Sequence, residues 1–569
     1  MANFSISPGV TLNEIDNTFL TGQPVQAGAA IIGPTVKGPV EIPTIVTSYS
    51  DYVNRFGDTF ESGSLVHSFL TSISAYSYFN NGGEKLLVTR VVSGSGANVY
   101  TSATSSVIAG GTVANVLTLE TIGEGVIMNS TSTLGTGGVL PSGSKDNVRW
   151  EIATSNTSSG TFTLLVRQGD DRTNKKTILE TYNNVNLDPF SPRYVAKVIG
   201  DQSLSYNSST NQIEISGEYP NASRYIRVKS IPSPTPNYLD ANGTAKTQFT
   251  GSIPIIGSGS FGAATGDIKA GALMNENITA TNTQGLHPDN YNNAINLLKD
   301  RESYPFNVLF TPGLTSDLHG SKISTILTNT QERGDNLFVL DLVTYDETVT
   351  SVVNQAGNRD SSYGASYWPW VRMIDPSTGR HIWAPASTVI PGVYANNDRI
   401  AAPWFAPAGI NRGGLDEVMR TQYKLTQANK DTLYEANVNP LATLPRTGVV
   451  VFGQKTLQKE ASALDRVNVR RLLIELKNYI RQVADTVVFE QNTATTRNSF
   501  LARVTPYLET VQQKQGLYAF KVVMDDSNNG PDVIDRNQLI GQVYVQPTRT
   551  AEFISIDFIL LPTGAEFPA

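Results

Sequence analysis

The chain has 569 residues, a formal net charge of −7 and 16% charged residues, well under the quarter that is usual in a soluble domain. At roughly 150 residues per domain this length accommodates three or four domains with real cores, and the acidic balance speaks against coating nucleic acid, which takes many cations to displace phosphate counterions. Cysteine is absent, which removes disulfide frameworks, zinc–thiolate sites, iron–sulfur clusters and thiol nucleophiles together.

Residues 1–20 read as extended: Val10 and Leu12 alternate with Thr11 and Asn13 after a Pro8-Gly9 break. This start lacks the basic region and apolar run of a secretory signal. No apolar run reaches the roughly 18 residues expected of a membrane span. Between 27 and 60, short apolar runs are punctuated by Gly33-Pro34 and Gly38-Pro39, both turn signals. Val66, Phe69, Leu70 and Ile73 fall on one helical face leading into Tyr78-Phe79-Asn80-Asn81-Gly82-Gly83, and a strand from Lys85 to Val92 follows. Helix, turn and strand in this order predict an α/β layer.

From Ser93 to Gly285 the texture changes to Gly, Ser, Thr and Ala, with strand-like segments at Val148–Ile152 and Phe162–Arg167. The spacing predicts a β-rich insertion of one or two modules between flexible joints at 93–112 and 251–285. The α/β pattern then resumes: helix Pro288–Lys299, strand Phe306–Phe310, helix Lys322–Arg333 and strand Leu337–Val343. Strand, crossover helix and strand of this length imply parallel pairing. Residues 363–414 read as aromatic, Pro-rich and irregular. After strand Val449–Phe452 comes the strongest helical pattern, with Leu472, Leu473, Leu476, Tyr479, Ile480, Val483 and Val487 on one stripe. A second amphipathic segment (498–515), strand Leu517–Met524 and β segments at Gly541–Gln546 and Ala551–Leu561 close the chain.

Motifs that would carry chemistry fail their context tests. Gly257-Ser258-Gly259-Ser260-Phe261-Gly262 spells a dinucleotide fingerprint, but Pro254 sits in the required strand and no helix follows, so a linker is expected. Asp525, Ser527, Asn529 and Gly530 imitate the start of an EF-hand loop, yet position twelve is Arg536 where a bidentate Glu is needed, so a turn is expected. The four histidines, His67, His287, His319 and His381, are scattered and lack metalloprotease spacing. No enzymatic activity, cofactor or metal is expected.

Two features stand out. Between Arg466 and Gln482, five cations (Arg466, Arg470, Arg471, Lys477, Arg481) stand against one anion, Glu475. This is either a solvated helix face or a docking surface for an acidic partner. Both termini carry alternating apolar residues: Val10 and Leu12 at one end, Ile554, Ile556, Phe558 and Leu560 at the other. Isolated strands must pair, either with their own domain or with a neighbour's sheet by strand addition. Strand donation in a consistent direction builds rings or filaments.

The chain resembles the contractile tail sheath proteins of bacteriophages and related injection particles. The resemblance rests on Ser7-Pro8-Gly9-Val10 with Glu14, Tyr78 to Gly83, Val88-Thr89-Arg90-Val91, Tyr367-Trp368-Pro369-Trp370 with Asp375-Pro376, and Pro391 to Ala395. It continues through Ala406 to Gly409, Val451-Phe452-Gly453, Asn468 to Leu472, Phe489-Glu490-Gln491-Asn492 and Gln546-Pro547, so it spans 1–93 and 286–561 in order. Gln454-Lys455-Thr456-Leu457 departs from the family's Ala-Arg-Thr-Leu version.

The resemblance implies a structural subunit of a contractile sheath, with hexameric rings stacked helically around an inner tail tube and driving it through the host envelope on contraction. Its partners would be further copies of itself, the tube protein and the baseplate and tail terminator proteins, with no direct nucleic acid. Its place would be the virion tail, after assembly in the host cytoplasm. The residues at Val10, Leu12, Ile554, Ile556, Phe558 and Leu560 would exchange strands between subunits. Arg470, Arg471, Lys477 and Arg481 would face the tube, and reversing their charge is expected to weaken docking while leaving the monomer folded. The expected fold class is α/β and α+β multidomain. Its parts are an arm (1–20), a core α/β domain (21–93 and 286–446), an inserted β-rich outer region (94–285), a C-terminal α/β inner domain (447–547) and a terminal strand and arm (548–569). The alternatives are a non-contractile structural or receptor-binding virion protein, or a hydrolase using Asp with His287 or His381.

Overall fold

The structure, a computed structural model, describes residues 27–62, 65–128, 145–172, 174–267, 277–445 and 447–553. Continuous apolar runs supply a central sheet, beginning with β1 (Ala27–Pro34), β2 (Thr44–Val46), β3 (Leu86–Val91), β4 (Phe306–Thr315), β5 (Leu337–Asp341) and β6 (Gly364–Trp368). Three short strands then form a separate antiparallel layer: β7 (Val371–Ile374), β8 (His381–Ala384) and β9 (Val418–Thr421). The chain returns to the central sheet with β10 (Asn439–Leu444) and β11 (Gly448–Val451), giving the spatial order β2-β3-β1-β4-β5-β6-β10-β11. Pairing from β3 to β10 is parallel, and only the two edge strands pair antiparallel.

Parallel strands are buried on both faces, and the alternation of side chains divides this sheet cleanly. Ala29, Ile31, Val88, Val308, Phe310 and Val339 enter one apolar cluster. Ala30, Ile32, Leu87, Leu309, Phe338 and Leu340 enter the other. Helix α1 (Leu70–Asn80) covers the first face and α2 (Gly320–Arg333), the crossover between β4 and β5, covers the second. The parallel strand–helix–strand unit expected from 306–343 is therefore present. Val66 lies outside α1, in a hairpin strand Leu65–Ser68. Phe69 keeps extended backbone and stacks on Phe60 at 5.2 Å, so the helix starts only at Leu70. Residues 363–414 are not irregular: they hold β6, β7, β8 and a helix at Ile390–Ile400.

Residues 102–262 contain a seven-stranded antiparallel sheet, in the order Ile178–Asn186, Thr161–Gln168, Val148–Asn156, Gly257–Gly262, Ser102–Ser105, Thr118–Glu124 and Ile226–Ser230. Its own cluster is built around Trp150, Phe162, Leu164, Val166 and Phe261. Gly257–Gly262, expected to be a linker, is an inner strand paired on both sides. A Cβ on Gly259 would fall 2.7 Å from the Trp150 ring, so the glycine permits this close approach.

The root of this sheet is tied to the central one. Buried Arg90 donates to the carbonyl oxygens of Thr35, Val36, Gly38 and Glu124. The Glu124 carboxylate accepts from the Val40 N–H at 2.6 Å, and Glu41 accepts from the Gly96 N–H and the Tyr100 hydroxyl.

The last part is two long helices, α3 (Val467–Asp485) and α4 (Ala494–Gln513), with a hairpin of β12 (Leu517–Val523) and β13 (Gln542–Pro547). Leu472, Leu476 and Val483 of α3 meet Phe500, Val504 and Leu508 of α4 in one cluster. Val467 and Ile474, on another side of α3, enter a cluster of the central sheet. One helix thus joins two cores, and the fold as a whole is a mixed α/β, multi-sheet architecture.

Candidate assembly surfaces

The predicted strand residues Val10, Leu12, Ile554, Ile556, Phe558 and Leu560 lie outside the described residues. What the structure defines is the path that leads to the last four. Beyond β13, Thr548 donates from its N–H to the Gly516 carbonyl at 3.2 Å. Thr550 accepts from Gln454 Nε2 at 2.6 Å. The Glu552 carboxylate then accepts from Arg466 Nε at 2.8 Å, from Gln454 Nε2 at 3.0 Å and from the Tyr434 hydroxyl. Burial pushes the Glu552 pKa up, but those donors outweigh it and hold the carboxyl below its usual range. The chain is pinned at Glu552 and the next residue, Phe553, is 82% exposed.

The β12–β13 hairpin is one of the two-stranded sheets that stand apart from the larger ones. Phe520, Val522, Val543 and Val545 share one face, in direct register, and pack on the α3–α4 cluster. Tyr518 and Tyr544 are exposed on the hairpin. Among the described residues its two strands pair only with each other, and both outer edges take no further strand. A two-stranded sheet is marginal alone, and its edges are templates for another strand. The connection between the strands carries the sequence that imitates an EF-hand. Here Asp525 accepts from the Ser527 N–H at 2.9 Å and Asn529 bridges to Ile540, which makes it a turn, as expected. Among the described residues no group of three or more His, Asp or Glu could hold a metal ion.

The four cations expected on one face of α3 are divided by the fold. Arg470 is buried, its guanidinium 4.0 Å from the centre of the Tyr363 ring and donating to Ser362. Arg471 is buried too, paired with Asp398 and lying 4.7 Å from the Tyr394 ring. Burial works against the Arg471 charge, but Asp398 outweighs it and raises the pKa. Lys477 is exposed and Arg481 partly so. The expectation that all four could be reversed without unfolding the monomer is corrected for Arg470 and Arg471, because α3 is packed on two sides and both arginines fall within those contacts.

Lys477 and Arg481 lie one turn apart on α3, and Val488, at i+7 from Arg481, follows beyond the helix end. Val488 is 59% exposed and Phe489 wholly exposed, with Phe489 at φ 70°. A bulky residue at positive φ is an outlier that commonly marks a functional constraint. Phe489 entered the sequence reading only as part of a motif, since nothing in the residue order announces the turn that exposes it. Of the histidines, His287 caps a short helical turn, His319 is tied to Thr315 and Thr279, and His381 lies exposed on β8.

Comparisons with known proteins follow the same division of the chain. Residues 284–457 match the family profile described as the phage tail sheath protein central domain, and residues 459–560 that of the phage tail sheath C-terminal domain. The tail sheath protein of Vibrio phage KVP40 is 37% identical over 210 residues, covering 37% of this chain and 31% of the relative. That of Enterobacteria phage T4 is 34% identical over 227 residues, covering 40% and 34%. The matched part therefore spans about a third of the length of these curated relatives.

Among solved structures, a sheath tail protein from Listeria innocua superposes with a TM-score of 0.53 at 10% identity, covering 92% of this chain and 96% of that one. The anti-feeding prophage baseplate in its contracted state gives a TM-score of 0.50 at 15% identity, covering 98% of this chain and 100% of that one. At such identities the likeness is one of fold. The family profiles and the phage relatives carry the likeness: residues 284–457 and 459–560 match the two phage tail sheath domains in order, and with the phage relatives they support a contractile tail sheath family for this chain.

Proposed function

We propose that this chain is a non-enzymatic structural subunit of a contractile tail sheath. Copies form hexameric rings stacked helically around an inner tube in the virion tail, and contraction drives the tube through the host envelope. The observation that carries this reading beyond the family likeness is the β12–β13 hairpin, whose apolar face is covered by its own helices while both edges stay unpaired among the described residues. Residues around Val10 and Leu12 of one subunit, and Ile554 to Leu560 of another, would complete that sheet. Strand addition satisfies the edge groups and ties neighbours through their backbones. The Glu552 anchor fixes where the donated segment leaves the body, so subunit bodies can reorient while staying linked, as a bistable interface requires.

Lys477 and Arg481 would face the tube, and Val488 and Phe489 would stand beside them as apolar contacts. Residues 94–285 would form the outer surface and 21–93 with 286–451 the wall, the expected boundary at 446 moving because β11 closes the central sheet, and 452–547 would form the inner part.

The test is electron microscopy of purified protein with and without tube. The full chain should form striated tubes of wide lumen. Deleting 1–17, or 554–569 beyond the Glu552 anchor, should abolish them while thermal unfolding stays unchanged. Tubes that persist after both deletions would sink the strand-exchange reading. Lys477→Glu with Arg481→Glu should weaken loading onto tubes and leave free polymer intact; equal loading would remove α3 as the tube-facing element.

A further inference from the structure

The outward face of the β7–β8–β9 layer carries a feature that the folded chain leaves uncompensated. Val371, Met373, Ala384 and Val418 point inward to a cluster of the central sheet. On the opposite face Arg372 of β7 stands directly across from Trp383 on β8 and from Arg420 on β9. Both guanidinium groups lie against the same indole, at 5.8 Å for Arg372 and 5.2 Å for Arg420 from the ring centre. Neither forms an ion pair among the described residues. Like charges directly opposite on adjacent strands are destabilising, and an exposed cation–π contact offsets only part of that. Ile374 and Met419, 49% and 56% exposed, border the pair. Tryptophan and arginine ringed by Ile and Met is the composition of a binding hot spot, and two unpaired guanidinium groups select carboxylates.

We propose that this Arg372–Trp383–Arg420 platform is a contact surface between copies of this chain, seated on a carboxylate-bearing surface of a second copy. Charge complementarity argues for that occupant. The chain is net −7, so a neighbouring copy offers more carboxylates than cations to this doubly cationic, locally unbalanced patch. The platform lies in the wall of the molecule, away from the β12–β13 hairpin in sequence, and supplies a body-to-body contact beside the backbone links. The inference rests on the sheath reading for the polymer it serves, but not for the contact itself.

The deciding variant is Arg420→Glu. Its carboxylate would face Arg372 across the strands and form an ion pair within the chain, so the monomer should unfold at the same temperature as wild type or higher. The platform would lose its net charge, and the concentration needed to form polymer should rise at least about tenfold, the equivalent of one good charged contact. Arg420→Lys should assemble like wild type. Sedimentation of full-length protein over a concentration series, beside electron microscopy, separates the outcomes. If wild type and Arg420→Glu associate at the same concentration, the platform is not an interface. The same holds if wild type never self-associates. If wild type forms only small closed oligomers that Arg420→Glu loses, the platform stands and the sheath reading falls.

Discussion

Arg470, Arg471, Lys477 and Arg481 are four cations within three turns of one helix, yet they answer to two different environments. Arg471 is held between Asp398 and the Tyr394 ring, whereas Lys477 reaches solvent and donates to the Tyr363 hydroxyl at 3.2 Å. Arg471→Met should therefore lower stability by about 1–3 kcal/mol, since Asp398 loses its partner and a buried contact goes with it. Lys477→Glu should shift it by no more than about 0.5 kcal/mol. Paired thermal melts check this, and equal shifts would mean that the burial difference is not real in solution. Glu124 gives a pH-dependent case. Burial pushes its pKa up from 4.5 to about 7, against the Val40 N–H and the Arg227 and Arg90 charges. A carboxyl whose folded pKa is raised favours the fold while protonated, and that contribution is lost as pH climbs through about 7. Glu124→Gln keeps an acceptor for Val40 and removes the ionisation, so it should gain on wild type between pH 5 and 8, by of order 3 kcal/mol at the upper end. Unfolding midpoints of the two proteins against pH would show it; parallel curves would count against a buried, neutral Glu124.

Elements show how far context overrides pattern. The Gly257–Gly262 strand has a composition that disfavours a strand in isolation, and it forms because its Phe261 enters the same core as Trp150 while Gly259 leaves room for the Trp150 ring and the Ser106 hydroxyl. Gly259→Val should cost about 1–3 kcal/mol through overpacking. The loss should fall on the seven-stranded sheet and leave the β12–β13 hairpin protected to the same degree, which hydrogen exchange resolves. Helix α3 shows the converse. Its stripe of Leu472, Leu476 and Val483 was legible because one packed face imposes a 3.6-residue period. Its second contact through Val467 and Ile474 was not, since two apolar residues at i and i+7 leave no periodic mark of their own.

At the scale of the whole molecule, three apolar bodies are linked by few devices: Arg90 and its carbonyl partners at the root of the seven-stranded sheet, and α3 between the central sheet and the hairpin part. The thin charge of the chain suits packing many copies with little self-repulsion, and the residual imbalance at Arg372 and Arg420 would become an attraction in the proposed contact. By itself the sequence determined the parallel strand–helix–strand unit of 306–343, the long helices and hairpin strands of 467–547, and a resemblance to the sheath family through motifs in fixed order. These are local periodicities and short patterns, and they survive without knowledge of neighbours. Only the tertiary structure decided which cations of α3 face solvent, that a glycine run is an inner strand, that Val66 belongs to a hairpin, and that β12–β13 keeps two bare edges among the described residues. Each of those depends on how many bodies pack around a residue, and a linear pattern records the side chain without recording what stands against it.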